Sequence, residues 1–339
     1  MQRYLANRLS PLLGTFLALG LMTSASAQHA PSTAPAAAPA AHLGPKPAER
    51  SAYAANAMML DAATTAGRRI VAVGDHGVVL LSDDNGVHFR QARTVPVQTA
   101  LTAVAFADAQ HGWAVGHWGV ILRTDDGGDT WRLQRMDTAI DQPLFSVHFK
   151  DEHKGWATGL WSMLLTTDDG GQHWRKVDIP APPAGGRPDR NMFKIFADAK
   201  GNLFIAAEQG TVFRSQDDGQ TWQYVATGYK GTLWSGVALA DGTLVVGGLR
   251  GTLYRSNDDG ASWQAVASPA HSSITSLVAA PAAITGVGLD GTVVTSTDGG
   301  RTFSASQRPD RLTLTAAAVA PNGHVVQFSE TGVIGVKTK

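Results

Sequence analysis

One eight-residue pattern, Ser/Thr-x-Asp-x-Gly-x-x-Trp/Phe, returns six times along this chain, and its spacing constrains the fold more than any other feature. The copies occupy 82–89, 124–131, 167–174, 215–222, 256–263 and 296–303, with central acids Asp84, Asp126, Asp169, Asp217, Asp258 and Asp298. Those acids lie 42, 43, 48, 41 and 40 residues apart. A period near 40 is the length of one small supersecondary unit that stacks against copies of itself.

The residues around each copy say what that unit is. Before the motif come a short apolar run, a tight turn usually ending in Gly and an alternating run, as in Val71-Ala72-Val73-Gly74-Asp75-His76-Gly77 and Trp113-Ala114-Val115-Gly116-His117-Trp118-Gly119. Another strand-like run lies upstream (101–106, 144–149), and a fourth follows the motif, as in Thr130-Trp131-Arg132-Leu133-Gln134. Each period thus encodes four short antiparallel strands, the content of one β-propeller blade, and no stretch of the repeat region carries a helical period. Counting the strand-turn-strand element adds a seventh copy at 325–336, with its turn at 329–332 and no fourth strand after it. An open edge is a liability. Residues 49 to 56, just before the first innermost strand, are the natural donor of the missing strand.

The motif's own chemistry is local: Ser/Thr and Asp bond the backbone of their turn, Gly permits a left-handed residue, and the aromatic packs between sheets. An Asp-x-Asp-x-Gly turn also looks like a calcium loop, but the twelve-residue ligand set ending in Glu is missing, so no metal and no other cofactor is expected. His76 and His117 could meet across adjacent blades, yet isolated surface histidines are the commoner case.

Residues 1–27 read as an export signal, with Arg3 and Arg8, an apolar run from Leu9 to Met22 and a cleavage site at Ala25-Ser26-Ala27. Residues 28–48 are mostly Ala and Pro and read as a disordered linker. The propeller then fills 49–339, and the expected location is the periplasm. The 28 basic residues balance the 28 acidic ones, which argues against duplex nucleic acid as a partner. No Cys is present, which removes disulfides, thiolate metal sites and Cys nucleophiles.

The six-fold motif resembles the Asp-box, or bacterial neuraminidase repeat, and the repeats cover residues 56 to 339. Spellings such as GWAVGHWGVILRTDDGGDTW at 112–131 resemble the photosystem II stability and assembly factor family. The resemblance implies an all-β, seven-bladed β-propeller with Asp-box repeats, its last blade closed by an N-terminal strand. It also implies a noncatalytic assembly or accessory factor for an integral membrane protein complex. That complex is photosystem II in a photosynthetic source and an RND-type exporter otherwise; a monomer with no small-molecule substrate is expected.

The competing reading is a sialidase-like glycoside hydrolase or a glycan-binding lectin. It is the weaker one: Arg68-Arg69-Ile70 is followed by Val71 where such hydrolases carry Arg-Ile-Pro, and the mature chain has only four Tyr to supply a Tyr/Glu nucleophile pair, with Glu208 beside Tyr224 or Tyr229 the best that can be imagined.

Strand direction alternates within a blade, so the turns between second and third strands share a face with the blade-to-blade connections, opposite the Asp-boxes. On that face the expected partner-binding residues are Asp75, His76, His117, Trp118, Trp161, Glu208, Gln209, Arg250, Asp290 and Glu330. The longest connection, 177–191, adds Arg187 and Arg190. Two neighbouring turns exposing Trp118 and Trp161 are the sharpest signal, because aromatic anchors among polar neighbours are what protein interfaces select.

Overall fold

Seven antiparallel sheets follow one another in the computed structural model, which describes residues 45–335 apart from 67 and 184. Blades one to six each hold four strands paired in chain order; blade seven holds three. Blade two is representative: Leu101–Phe106 innermost, then Gly112–Gly116, Ile121–Thr124 and Arg132–Arg135 at the rim. Its second strand is buried along its whole length, the pattern of a strand covered on both faces. Among the described residues the only helices are single 3-10 turns, and none is long and apolar enough to cross a membrane.

The innermost strands close a ring. Each lies beside the next, and the last, Leu314–Val319, lies beside the first, Met59–Thr65. Side-chain hydroxyls stitch the seams: Thr64 Oγ1 donates to the Val319 carbonyl at 2.7 Å, and Thr275 Oγ1 donates to Leu314 at 2.9 Å. Asp61 accepts the Val104 amide at 3.1 Å, and the Lys194 ammonium of blade four reaches the same carboxylate at 3.6 Å. On blade three, burial and then the Lys194 charge push the His148 imidazole down to about 4.

The seam at blade seven differs from the expectation. The expected donor segment, 49–56, is not a strand: Ala54–Asn56 is a 3-10 turn set against Gly332–Val333, the third strand of blade seven. Its amides are used internally, Ala54 to Ser51, Asn56 to Tyr53 and Ala57 to Ala54, which leaves them unable to extend a ladder. Ala54 is buried in the core between blades seven and one, so the segment plugs the edge by packing instead of by strand pairing. The export signal lies outside the described residues, as does most of the linker. The linker's last residue, Ala48, donates its amide to Val95 at 3.0 Å and packs on the body.

All six Asp-boxes share one hydrogen-bond pattern. The Ser/Thr hydroxyl donates to the Asp carboxylate at 2.7–2.9 Å and accepts the Gly amide at 2.8–3.0 Å. The residue before the aromatic then donates both backbone and side chain to the same carboxylate, for example Thr130 at 2.9 and 2.7 Å. His88 and His173 fill that position with an imidazole. Each box glycine is also a seat for the preceding blade. A Cβ on Gly219 would come within 2.3 Å of the Trp156 indole nitrogen, and one on Gly260 within 2.5 Å of the Phe204 ring. The motif therefore joins neighbouring sheets as well as closing its own hairpin.

Trp131 is 5% exposed, donates its indole N–H to the Gly128 carbonyl at 2.9 Å and meets Phe106 edge-on. Trp131→Ala is expected to lower the unfolding free energy by about 3–5 kcal/mol through the cavity it leaves, read from guanidinium unfolding curves. A pH test follows from the boxes. The His88 backbone amide, with its ring and Ser82, holds Asp84 down to about 2, and the Ser262 hydroxyl and amide do the same for Asp258. The unfolded chain therefore takes up protons first as pH falls, so this stabilisation is complete above the ordinary carboxylate value near 3.8 and is lost between there and about 2. Thermal unfolding between pH 5 and 2 should show that loss, and it should shrink in Asp84→Asn and Asp258→Asn.

Candidate partner-binding face

The turns between second and third strands repeat an unusual backbone. His76, Trp118, Trp161, Gln209, Arg250 and Asp290 sit at equivalent positions with φ of 54°, 57°, 53°, 56°, 58° and 60°. The next residue is left-handed as well, and it is Gly in five of these six turns. In blade three it is Ser162 at φ 53°, held by its amide to the Arg190 carbonyl at 2.8 Å. A left-handed conformation costs an L-residue about 1–2 kcal/mol, and a large side chain there is an outlier that points to function.

Two of the six positions carry tryptophan, and both rings stay partly open to water. Trp118 is 37% exposed and Trp161 is 56% exposed. Their backbones are clamped by the adjacent connections: Trp118 donates its amide to Asp141 at 2.8 Å, and its carbonyl accepts Asp137 at 2.8 Å. Trp161 donates its amide to the Asn191 side chain at 3.0 Å. Two aromatic rings are thus presented to solvent from rigid, neighbouring supports.

The other residues expected on this face divide into two groups. Several are committed within the molecule: Glu208 accepts both Asn191 amides at 2.9–3.0 Å, Gln209 accepts Arg190 at 2.8 Å, and Asp290 takes Gln307 at 2.6 Å and Arg311 at 3.3 Å. Asp75 faces His76 at 3.2 Å, and His117 faces Asp141 at 3.4 Å, so the two histidines each turn to a carboxylate. Arg187, Arg250 and Glu330 make no side-chain hydrogen bond or ion pair among the described residues. The 177–191 connection is anchored rather than loose. Val177 and Ile179 are buried, the Pro180 carbonyl accepts the Tyr224 hydroxyl at 3.0 Å, and Arg190 lies over the Tyr224 ring at 5.7 Å.

Sequence reasoning missed the large side chains gathered at the bulges of the innermost strands. Each innermost strand carries a bulge after its first residue, and on four blades the bulged residue is Leu60, Phe145, Phe193 or Trp234, all half-buried. Phe145 and Phe193 stack at 5.3 Å across the seam between blades three and four. These bulges lie at the same end as the turns, since Met59 pairs with Gly74 just ahead of the first one. A bulge interrupts period-two alternation, which is why the pattern hid them.

The imagined hydrolase pair does not assemble. Glu208 holds Asn191, the Tyr224 hydroxyl is on Pro180, and the Tyr229 hydroxyl donates to Leu249 at 3.1 Å in the next blade.

A seven-bladed Asp-box propeller with a strained, aromatic turn face is thus the class of protein defined by fold and site. The resemblance to the photosystem II assembly factors is shown by residues 91–246, which match the family model described as photosynthesis system II assembly factor YCF48. Residues 203–325 match a second model, the DUF6242 beta propeller domain. No curated protein matches the chain in sequence. Among solved structures, one described as "YCF48 bound to D1 peptide" superposes with a TM-score of 0.66 at 16% identity, covering 85% of this chain and 94% of that one. YCF48 from Cyanidioschyzon merolae gives a TM-score of 0.64 at 15% identity, over 82% and 94%. At these identities the structures share the fold.

Trp118→Gly and Trp161→Gly provide a test of what the rings are for. Each should change the unfolding free energy by no more than about 1 kcal/mol in either direction, because relief of the left-handed strain offsets the packing lost from a partly covered ring. A loss of several kcal/mol would make the rings structural.

Proposed function

We propose that the chain is a noncatalytic periplasmic propeller that serves as an assembly or accessory factor for an integral membrane protein complex, docking through the face that carries Trp118 and Trp161. The observation that carries this reading is the pair of exposed rings held at φ of 57° and 53° by clamped turns. Rigid aromatic anchors lose little conformational entropy on binding and dominate interface energetics. The match to the assembly-factor model spans both turns, and the related structure with a bound peptide supports a membrane-protein partner. For a source without photosynthesis the partner we propose is an RND-type exporter; with photosynthesis it is a photosystem.

Crosslinking and capture from solubilised membranes tests this directly. The native protein should recover one integral membrane protein, and the Trp118→Ala, Trp161→Ala double variant should lose it while its melting temperature stays within a few degrees. Unchanged capture would remove this face from consideration. Binding on a glycan array would favour the lectin reading, since exposed tryptophans also stack on sugars.

A further inference from the structure

On the opposite, Asp-box face, the seam between blades two and three gathers side chains that the reading above does not use. Asp108 and His111 come from the loop between the first and second strands of blade two, and Glu152 comes from the corresponding loop of blade three. One ligand atom from each lies within 4.8 Å of the other two. His111 Nδ1 is 2.7 Å from the Asp108 carboxylate and 3.6 Å from that of Glu152, and its Nε2 is 4.0 Å from Asp125.

Blade three shows what this arrangement lacks. Its equivalent loop runs Asp151-Glu152-His153-Lys154, and Lys154, at the position of His111, carries its ammonium to Asp168, the counterpart of Asp125. Blade two replaces that fixed positive charge by an imidazole while adding a carboxylate from across the seam. Asp125 is matched by Arg123 and Arg132. Among the side chains of the described residues, Asp108 and Glu152 meet only imidazoles: His111 for both, and His153 at 3.6 Å for Glu152. A single imidazole proton cannot serve two carboxylates, so the second carboxylate faces the ring nitrogen without a donor of its own.

We propose that Asp108, His111 and Glu152 form a binding site for a first-row divalent cation such as Zn2+, which bridges blades two and three. One nitrogen and two carboxylate oxygens are the donor set that suits such ions, with water completing the shell. Bonds of about 2.0–2.2 Å to a tetrahedral centre set neighbouring ligand atoms roughly 3.3 Å apart, so the 2.7 Å and 3.6 Å separations need only side-chain adjustment. Binding uses the His111 Nδ1 lone pair, with the ring proton carried on Nε2. Asp108 is already positioned, because its other oxygen accepts the Gln110 and His111 amides at 2.6 and 2.8 Å. A cation here would add to the contacts by which the Gly170 carbonyl of blade three accepts Trp113, Arg123 and Gln134 of blade two.

The test is calorimetric titration of the metal-stripped, full-length protein with Zn2+, alongside Co2+ absorption spectra. Expected is one equivalent bound by the native protein, a visible Co2+ band of low-coordinate type, and at least tenfold weaker binding in both His111→Gln and Glu152→Gln. Both variants should keep the native melting temperature without metal. Equal binding by native protein and variants would place the ion elsewhere. No stoichiometric binding by the native protein would show that His111 is only a hydrogen-bond partner of the carboxylates. Either result overturns the site, and neither bears on the Trp118/Trp161 face.

Discussion

A short sheet with apolar residues on both faces cannot be stable alone, and mutual covering is the constraint on which the rest of this molecule depends. The second strands show it most plainly: 112–116, 155–159, 203–207 and 244–248 are buried at every residue because a neighbouring sheet lies against each face. Covering of that kind has no natural end in a row of blades, so the chain closes its row into a ring. Blade seven then has to meet blade one, and the 3-10 turn at Ala54–Asn56 fills the gap that a three-stranded last blade leaves.

The Asp-box serves the same constraint at close range. Its carboxylate gathers one hydroxyl and two or more donors from the residues that follow, and this fixes a hairpin with a glycine at its tip. The preceding blade then sets a large side chain on that glycine, as Trp156 does on Gly219. The acid is thus part of the joint between blades, although it touches solvent and makes no direct contact with the neighbouring core. The candidate cation site lies beside one of these joints, where two loops bring their carboxylates together.

On the other face packing places fewer demands. There the turns hold their middle residues left-handed regardless of identity, and the chain has put tryptophan at two of them. Both rings stay partly open to water. The 177–191 connection, by contrast, sets its Pro180 carbonyl and Arg190 against Tyr224 of blade four. The match to the assembly-factor model over 91–246 covers that part of the ring.

The six spaced motifs, together with the seventh strand-turn-strand element, determined the blade count and the strand order, because hydrogen bonds within eight residues and a fixed period are local properties that sequence records directly. They also placed Trp118 and Trp161 on one face, since strand direction alternates without exception in such a sheet. Tertiary structure alone decided how the ring closes, because whether 49–56 extends a ladder or folds on itself depends on what blades seven and one leave between them. The gathering of side chains at the bulges is equally non-local: Phe145 and Phe193 stand 48 residues apart and meet through bulges that break the alternation. Asp108, His111 and Glu152 come together for the same reason, from two loops whose proximity is a consequence of blade stacking and is written in neither loop.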